Sequence, residues 1–285
     1  MSNYFHRDTR ILSNIGALKI NDLIDTPRDL EVVDFAGDFQ KTTISKSKEK
    51  VKFVKIKFKN GQAILMSPDS SLLIYNGDSG VRKLDHPISK FLYEDVGNLK
   101  KDDKVYHIRK TNPVSDVKRR SSRSDGLHSA GSHFKDSLPP SLWKRNHAYV
   151  EGALEFYVRR FGNLNVNMSY YSRCYLWFKK REENILRELQ QLFTFYGIRS
   201  NMFYNDAEYT YQLYMMGDDL KYFIQRFEIE SRSFVYRVNR LKKLKKPTPH
   251  PFLQIEEVEE TDITDYAYTI NTETFFTEVG ITGNK

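Results

Sequence analysis

The sequence holds a single cysteine, Cys174, in 285 residues. That excludes both a disulfide framework within the chain and a cysteine-based zinc site. It contains no run of about 18 apolar residues, so no membrane-spanning helix is expected. Residues 1–9 include His6, Arg7 and Asp8 and carry no apolar core of the kind a secretory signal needs. The cytoplasm, or a host cell's cytoplasm, is the expected compartment. Glycine (14) and proline (9) are too scarce for a collagen-like chain, and a 39% hydrophobic share is too rich for a wholly disordered one. Acid is the scarcer charge: 37 Asp+Glu stand against 45 Lys+Arg, a formal excess of +8 and a pI near 9.2. At about 150 residues per domain the length suggests two domains with real cores.

The cations are gathered rather than spread. Residues 100–145 hold twelve Lys/Arg against five Asp, including Lys118, Arg119, Arg120 and Arg123, among serines and glycines with no apolar periodicity. Such a stretch reads as a flexible connector or extended arm. A second run at 236–246 carries six cations and no acid, including Lys242, Lys243, Lys245 and Lys246, before Pro247, Pro249 and Pro251 break any helix. Both suit a polyanion, which a Lys/Arg stripe attracts by releasing counterions. Six acids follow at Glu256, Glu257, Glu259, Glu260, Asp262 and Asp265; the alternative to polyanion binding is a solvated surface whose charge they partly neutralise.

Three regions follow from hydrophobic period. Residues 9–108 read as β. Val51–Lys59 alternates apolar and basic residues, Asn60-Gly61 is a hairpin turn, and Gln62–Met66 returns. Residues 142–230 carry three helical stripes: Tyr149, Ala153, Phe156 and Tyr157; Ile185 to Tyr196, closed by Gly197; and Leu220 to Phe227, with Asp218 as the expected N-cap. Strand-like pairs lie between them, at 164–169 with 175–178 and at 200–204 with 209–215. Residues 252–285 return to β character. The fold class is therefore α+β, an all-β domain interrupted by an α+β insertion of order αββαββα. Its boundaries are 1–110 for the first β part, 111–141 for the basic arm, 142–246 for the insertion and 247–285 for the second β part.

Asp8-Thr9 with Ile11-Leu12, then 16–24, resembles the opening motif of intein splicing domains, which have the Hint fold. Residues 55–61 followed by Ser67-Pro-Asp-Ser70 resemble the family's second block. Leu99-Lys-Lys-Asp-Asp-Lys-Val105 resembles the L-K-x-G-D-x-V turn that commonly follows. Phe275-Phe276 and 280–284, ending in asparagine, resemble the closing blocks. Inteins often carry a LAGLIDADG homing endonuclease between their halves. Residues 149–158 resemble its signature helix, with Gly152 at the position where that family packs two helices closely, and residues 189–200 resemble a later segment. One repeat is evident where such a nuclease uses two, which implies a homodimer. The resemblance also implies a phage or other mobile-element product.

The residues depart from the family where its chemistry lies. Splicing begins when Cys or Ser attacks the preceding carbonyl, which needs a nucleophile, donors for the oxyanion and a proton carrier. The family's nucleophile position is Tyr4 here; the nearby hydroxyl is Ser2. The family's Thr-x-x-His proton carrier is replaced by Ser67 and Ser70, and serine does not titrate near neutrality. His86 is read as a surface or structural histidine. The penultimate histidine is Gly283, Asn284 keeps the cyclising residue, and Lys285 cannot accept an acyl group. In the insertion, the family's metal-binding acid is Tyr157; Glu155 lies about 200° round the helix. No cofactor is expected, with Mg2+ entering only through Glu155 if nuclease activity survives. Asn163, Asn165, Asn167 and Arg173 can face a groove, where Asn and Arg read base edges. The 37 Phe and Tyr residues are read as packing. The expected function is double-stranded DNA binding by a relic of a splicing and homing protein, with no membrane role. Two alternatives stand beside it: a residually active intein using Ser2 and Asn284, or an assembly protein reusing the Hint scaffold.

Overall fold

A strand of alternating lysines needs a partner that tolerates its charge, and the chain supplies one about 200 residues away. In the computed structural model, β5 (Ile44–Phe58) pairs antiparallel with β14 (Phe252–Ile270) over nearly the whole length of β5. The model describes residues 3–24, 29–34, 38–75, 91–106, 125–128, 137–138, 142–143, 147–165, 174–227, 252–272, 274–277 and 279–283. The chain divides into two units, one of Met1–Pro113 with His250–Lys285 and one of Val114–Pro249.

The first unit is built on β1 (Arg10–Ser13), β2 (Gly16–Lys19), the single turn α1 (Ile20–Leu23), β3 (Glu31–Val33), β4 (Phe39–Lys41), β5, β6 (Ala63–Met66), β7 (Ser71–Tyr75), β8 (Phe91–Asp95) and β9 (Lys104–Tyr106). After the second unit, β14, β15 (Thr274–Thr277) and β16 (Gly280–Gly283) complete it. The strands run β4-β3-β1-β15-β16-β7-β9-β14-β5-β6, with β2 on β1 and β8 on β7, and every described pairing is antiparallel. Phe53, Ile56 and Phe58 of β5 are fully buried, with Ile255, Ala267 and Ile270 of β14. Each large apolar side chain so buried stabilises the unit by about 1.5–3 kcal/mol.

The outer part of the β5–β14 ribbon is exposed and held by charge. Lys57 Nζ reaches Glu257 at 3.0 Å and Glu259 at 2.7 Å, Lys52 reaches Glu260 at 3.0 Å, and Lys46 lies 4.0 Å over the Tyr266 ring. The Lys57 bond holds the Glu259 carboxyl below its usual range. Four of the six acids at 256–265 therefore have partners inside the first unit, three of them here and the fourth, Asp265, at Arg7. These acids thus have partners within the first unit, while residues 236–246 lie outside the described ones. Such exposed pairs contribute little each, so the backbone ladder and the buried ends carry the ribbon.

Two turns show why these residues stand where they do. Gly61 takes φ +86 in the β5–β6 hairpin, while Asn60 bonds Gln62 through side chain and backbone. Asp102 takes φ +75 in the turn before β9, where the L-K-x-G-D-x-V pattern has glycine. Asp tolerates that left-handed conformation better than most residues, and its carboxylate pairs with Lys59.

The second unit runs α2 (His147–Phe161), β10 (Gly162–Asn165), β11 (Tyr175–Lys180), α3 (Glu183–Phe195), β12 (Asn201–Asn205), β13 (Thr210–Met216), α4 (Gly217–Arg226). Its sheet has the order β10-β11-β13-β12. α3 buries Ile185, Leu186, Leu189, Leu192 and Phe193, and α4 buries Leu220, Phe223 and Ile224. Phe193 lies 6.1 Å from Phe178 of β11 and 5.5 Å from Phe223, which ties both helices to one face of the sheet. α3 ends in a Schellman motif: Gly197 at φ +70 donates to Thr194 O, and Ile198 N donates to Phe193 O at 2.9 Å. The expected cap at Asp218 is corrected. Met216 occupies the N-cap position without a side-chain bond, and Asp218 and Asp219 sit inside the first turn, where they complement the helix dipole. Of the expected strand at 164–169, residues 166–169 lie outside the described ones. Among the described residues no helix is long and apolar enough to cross a membrane.

Candidate functional site

Residues 3–6 do not trail away from the first unit; they are seated on it. Phe5 exchanges backbone bonds with Tyr268 of β14, at 2.9 Å and 3.0 Å, and forms a bridge with Met66 of β6. Its ring is fully buried, edge-on to Phe275 at 5.3 Å. That anchor fixes the residues on either side of it.

The turn Ser67-Pro68-Asp69-Ser70 between β6 and β7 faces Tyr4. Ser70 N donates to Ser67 O at 3.0 Å, and proline at the second position presets the turn. Ser67 and Ser70 are both buried. Tyr4 N–H donates to Ser70 Oγ at 2.8 Å, and Tyr4 O accepts from Ser67 N at 3.0 Å and from Ser70 Oγ at 3.3 Å. Next along the chain, Asn3 binds the Ser71 peptide at both ends. Its Nδ2 donates to Ser71 O at 2.8 Å, and its Oδ1 accepts from Ser71 N at 2.6 Å. Asn3 is 1% exposed, so this amide stands in for a strand neighbour. The sequence offered no signal for it beyond an asparagine close to the start.

The other end of the described chain comes to the same strand. β16 pairs with β7 at Thr282 opposite Leu72, the residue after Ser71, and the antiparallel direction carries Gly283 toward the Ser71 end. Ser2 and Asn284 lie outside the described residues. So do His86, Asn167, Arg173, Lys118, Arg119, Arg120, Lys242, Lys243, Lys245 and Lys246.

Chemically, the described residues of this seat hold the segment by hydrogen bonds. Attack on a preceding carbonyl requires a heteroatom on the Cβ, which closes a five-membered ring; the tyrosine oxygen is separated from Cβ by the aromatic ring. Ser70 Oγ stands against the amide nitrogen that a proton carrier would serve, yet a hydroxyl has no proton to give near neutrality. Ser67 N–H and Ser70 Oγ polarise the Tyr4 carbonyl.

His6 follows the seated Asn3, Tyr4 and Phe5. Its ring is edge-on to Phe53 at 5.3 Å, with Asp8 at 3.5 Å from Nδ1 and Asp265 at 3.9 Å from Nε2. Asp8 N–H donates to Nδ1 at 3.3 Å, which favours the neutral ring. Burial lowers its pKa despite the two carboxylates.

In the second unit, Glu155 is 3% exposed and paired with Arg159 one turn on, and Tyr157 is 1% exposed in a cluster with Phe156 and Phe161. Burial, with Glu188 adding to it, pushes the Tyr157 phenol far above its usual value. Mg2+ demands several hard oxygen ligands. Glu155, ion-paired with Arg159, and the buried Tyr157 phenol on another side of the helix do not fit it, and among the described residues no group of three or more His, Cys, Asp or Glu could hold a metal. Asn163 and Asn165 are exposed on β10 and share one face of the sheet.

No protein-family model and no curated protein matches this sequence. Solved structures that overlap it include inteins. A mutant of a variant Ssp DnaB mini-intein overlaps 100% of this chain and 99% of its own, at 9% identity and a TM-score of 0.40. That mini-intein variant itself overlaps 99% and 93% at 10% identity and 0.40. A DnaB intein from Synechocystis sp. PCC 6803 overlaps 38% and 71% at 16% identity and 0.30. All three scores are below 0.5, and the functional reading stands on the chain's own geometry.

The depressed pKa of His6 sets a pH dependence. The unfolded chain binds more protons between the folded pKa and 6.5, so His6 favours folding above pH 6.5 and loses that contribution as pH falls through the folded pKa. The thermal midpoint of the first unit should therefore drop on acidification, and His6→Gln should flatten that drop. An identical pH profile in the variant would show that His6 does not titrate on unfolding.

Proposed function

We propose that the chain is an intein-like protein on a Hint-type β-domain, silent in splicing, whose inserted LAGLIDADG-like unit binds double-stranded DNA. The observation that carries the first part is convergence. Asn3 is bound to Ser71, and Thr282 is paired with Leu72. A splicing domain must hold its two junctions side by side, because acyl transfer needs its reacting atoms almost in contact. The silence follows from Tyr4 and Ser70, which occupy the nucleophile and proton-carrier positions and can fill neither role.

Restoring both roles tests this. Tyr4→Cys together with Ser70→His should let the introduced thiolate attack the Asn3 carbonyl. That forms a thioester and breaks the C–N bond after Asn3, the amine taking its proton from the introduced imidazole. Added thiol should then release a reporter fused ahead of Asn3, while the parent releases none. Release or splicing by the parent would contradict the silent reading. A folded double variant without release would contradict the assignment of the seat.

DNA binding is supported by where the charge lies. The second unit holds 24 Lys/Arg against 14 Asp/Glu, and the first 21 against 23. The whole excess therefore belongs to the second unit, and phosphate binding by it should release counterions. Duplex affinity should fall steeply as salt rises, and neutralising Lys242, Lys243, Lys245 and Lys246 together should reduce that slope. Salt-independent affinity would remove DNA from the account.

A further inference from the structure

A strand at the end of a sheet turns half of its backbone donors and acceptors outward, and folded proteins protect such edges with charge, brevity, a bulge or a covering segment. The described edges of the first unit follow that rule. Residues 5 and 6 lie along β6, with His6 N donating to Leu65 O at 3.4 Å. β2 ends in Lys19, β4 ends in Lys41, and β8 carries Glu94 and Asp95. In the second unit, β10 opens on a glycine and keeps its one large apolar residue, Leu164, buried. β12 is different. Its five residues, Asn201-Met-Phe-Tyr-Asn205, hold no charge and no proline, and they pair with β13 without a break in register. Among the described residues no strand pairs with its other side. Phe203 is 45% exposed and Tyr204 43%, on opposite faces of the strand.

We infer that β12 binds the β12 strand of a second copy of this chain, antiparallel, with a two-fold axis through Phe203. An interface between identical surfaces must be self-complementary. This strand reads nearly the same from either end: amide, apolar, Phe203, apolar, amide. The two-fold sets Phe203 against its own copy, Met202 against Tyr204 and Asn201 against Asn205, so sulfur meets ring and amide meets amide. Charge agrees at both ends. Arg199 stands just before β12 and the exposed Asp206 just after it, so antiparallel pairing brings the cation of each copy to the carboxylate of the other. Arg199 spends one nitrogen on Asp219, at 3.5 Å, and a guanidinium has five N–H donors to place. Helix α2, where the resemblance implies a second copy, is covered already. Every residue from Tyr149 to Val158 is buried except the partly exposed Glu151 and Phe156. A Cβ on Gly126 would collide with Tyr149 O, so residues 125–128 pack on that helix. The surface for a second copy is thus β12 rather than α2. The reading of the aromatic residues as packing holds for Phe178, Phe193 and Phe223 and fails at Phe203 and Tyr204.

Sedimentation equilibrium of the full-length protein at micromolar concentration tests the assignment. The parent should sediment at twice the chain's 33.6 kDa. Phe203→Lys sets two like charges face to face at the axis, so it should weaken dimerisation by about tenfold or more. Phe203 is exposed enough for that change to leave the circular dichroism of the protein as it was. Phe203→Cys should give a disulfide-linked dimer on mild oxidation, because the two-fold sets the introduced thiols opposite each other and the chain's own Cys174 is buried. A parent at the mass of one chain overturns the inference. So does a folded Phe203→Lys protein that dimerises as tightly as the parent, or a dimeric Phe203→Cys protein that forms no disulfide.

Discussion

The first unit depends on one long-range closure, the pairing of β5 with β14. Residues 44–58 and 252–270 are separated by the entire second unit, yet they form the longest ladder in the described structure. The order this imposes is costly to reach, because distant contacts are rewarded only after the loop between them is closed. Tyr268 of that ladder and Met66 of β6, which pairs with β5, flank Phe5. Those two residues are the backbone partners of Phe5, and Phe5 in turn fixes Tyr4 against Ser70. The seat of the amino-terminal segment is therefore a product of the ribbon.

That seat is a hydrogen-bonded binding arrangement. Tyr4 has both backbone groups engaged, and Asn3 has its amide spent on Ser71. The bonds that an active site would use to poise a scissile peptide are used here to hold a segment in place. In α2, Tyr157 is buried and Glu155 is paired with Arg159.

Much of this was legible because local rules and tertiary structure agree. Val51–Lys59 alternates as a half-buried strand must, Asn60-Gly61 supplies a left-handed turn, and Gly197 ends a helix where only glycine sits easily. The aspartate at position 102 replaces the glycine of its pattern and still adopts positive φ. What was not legible depends on partners far away in the chain. The acids at 256–265 look like a counterweight to the nearest basic run until register pairs them with Lys52 and Lys57. The amide of Asn3 has no periodic signal at all. The rings of β11 and β13 look alike in sequence, and only the side on which α3 and α4 pack separates core from surface. Asp218 failed as a cap because β13 runs directly into α4, which leaves Met216 at the boundary.

The central claim is that residues 3–6 are docked on the Ser67–Ser71 turn and β14. Amide hydrogen exchange measures this directly. The amides of Tyr4, Phe5, Ser71 and Tyr268 should be protected in the native protein, and Ser70→Ala should release Tyr4 while leaving Tyr268 protected. Exchange of Tyr4 and Phe5 at the rate of an unstructured peptide in the parent protein would contradict the account.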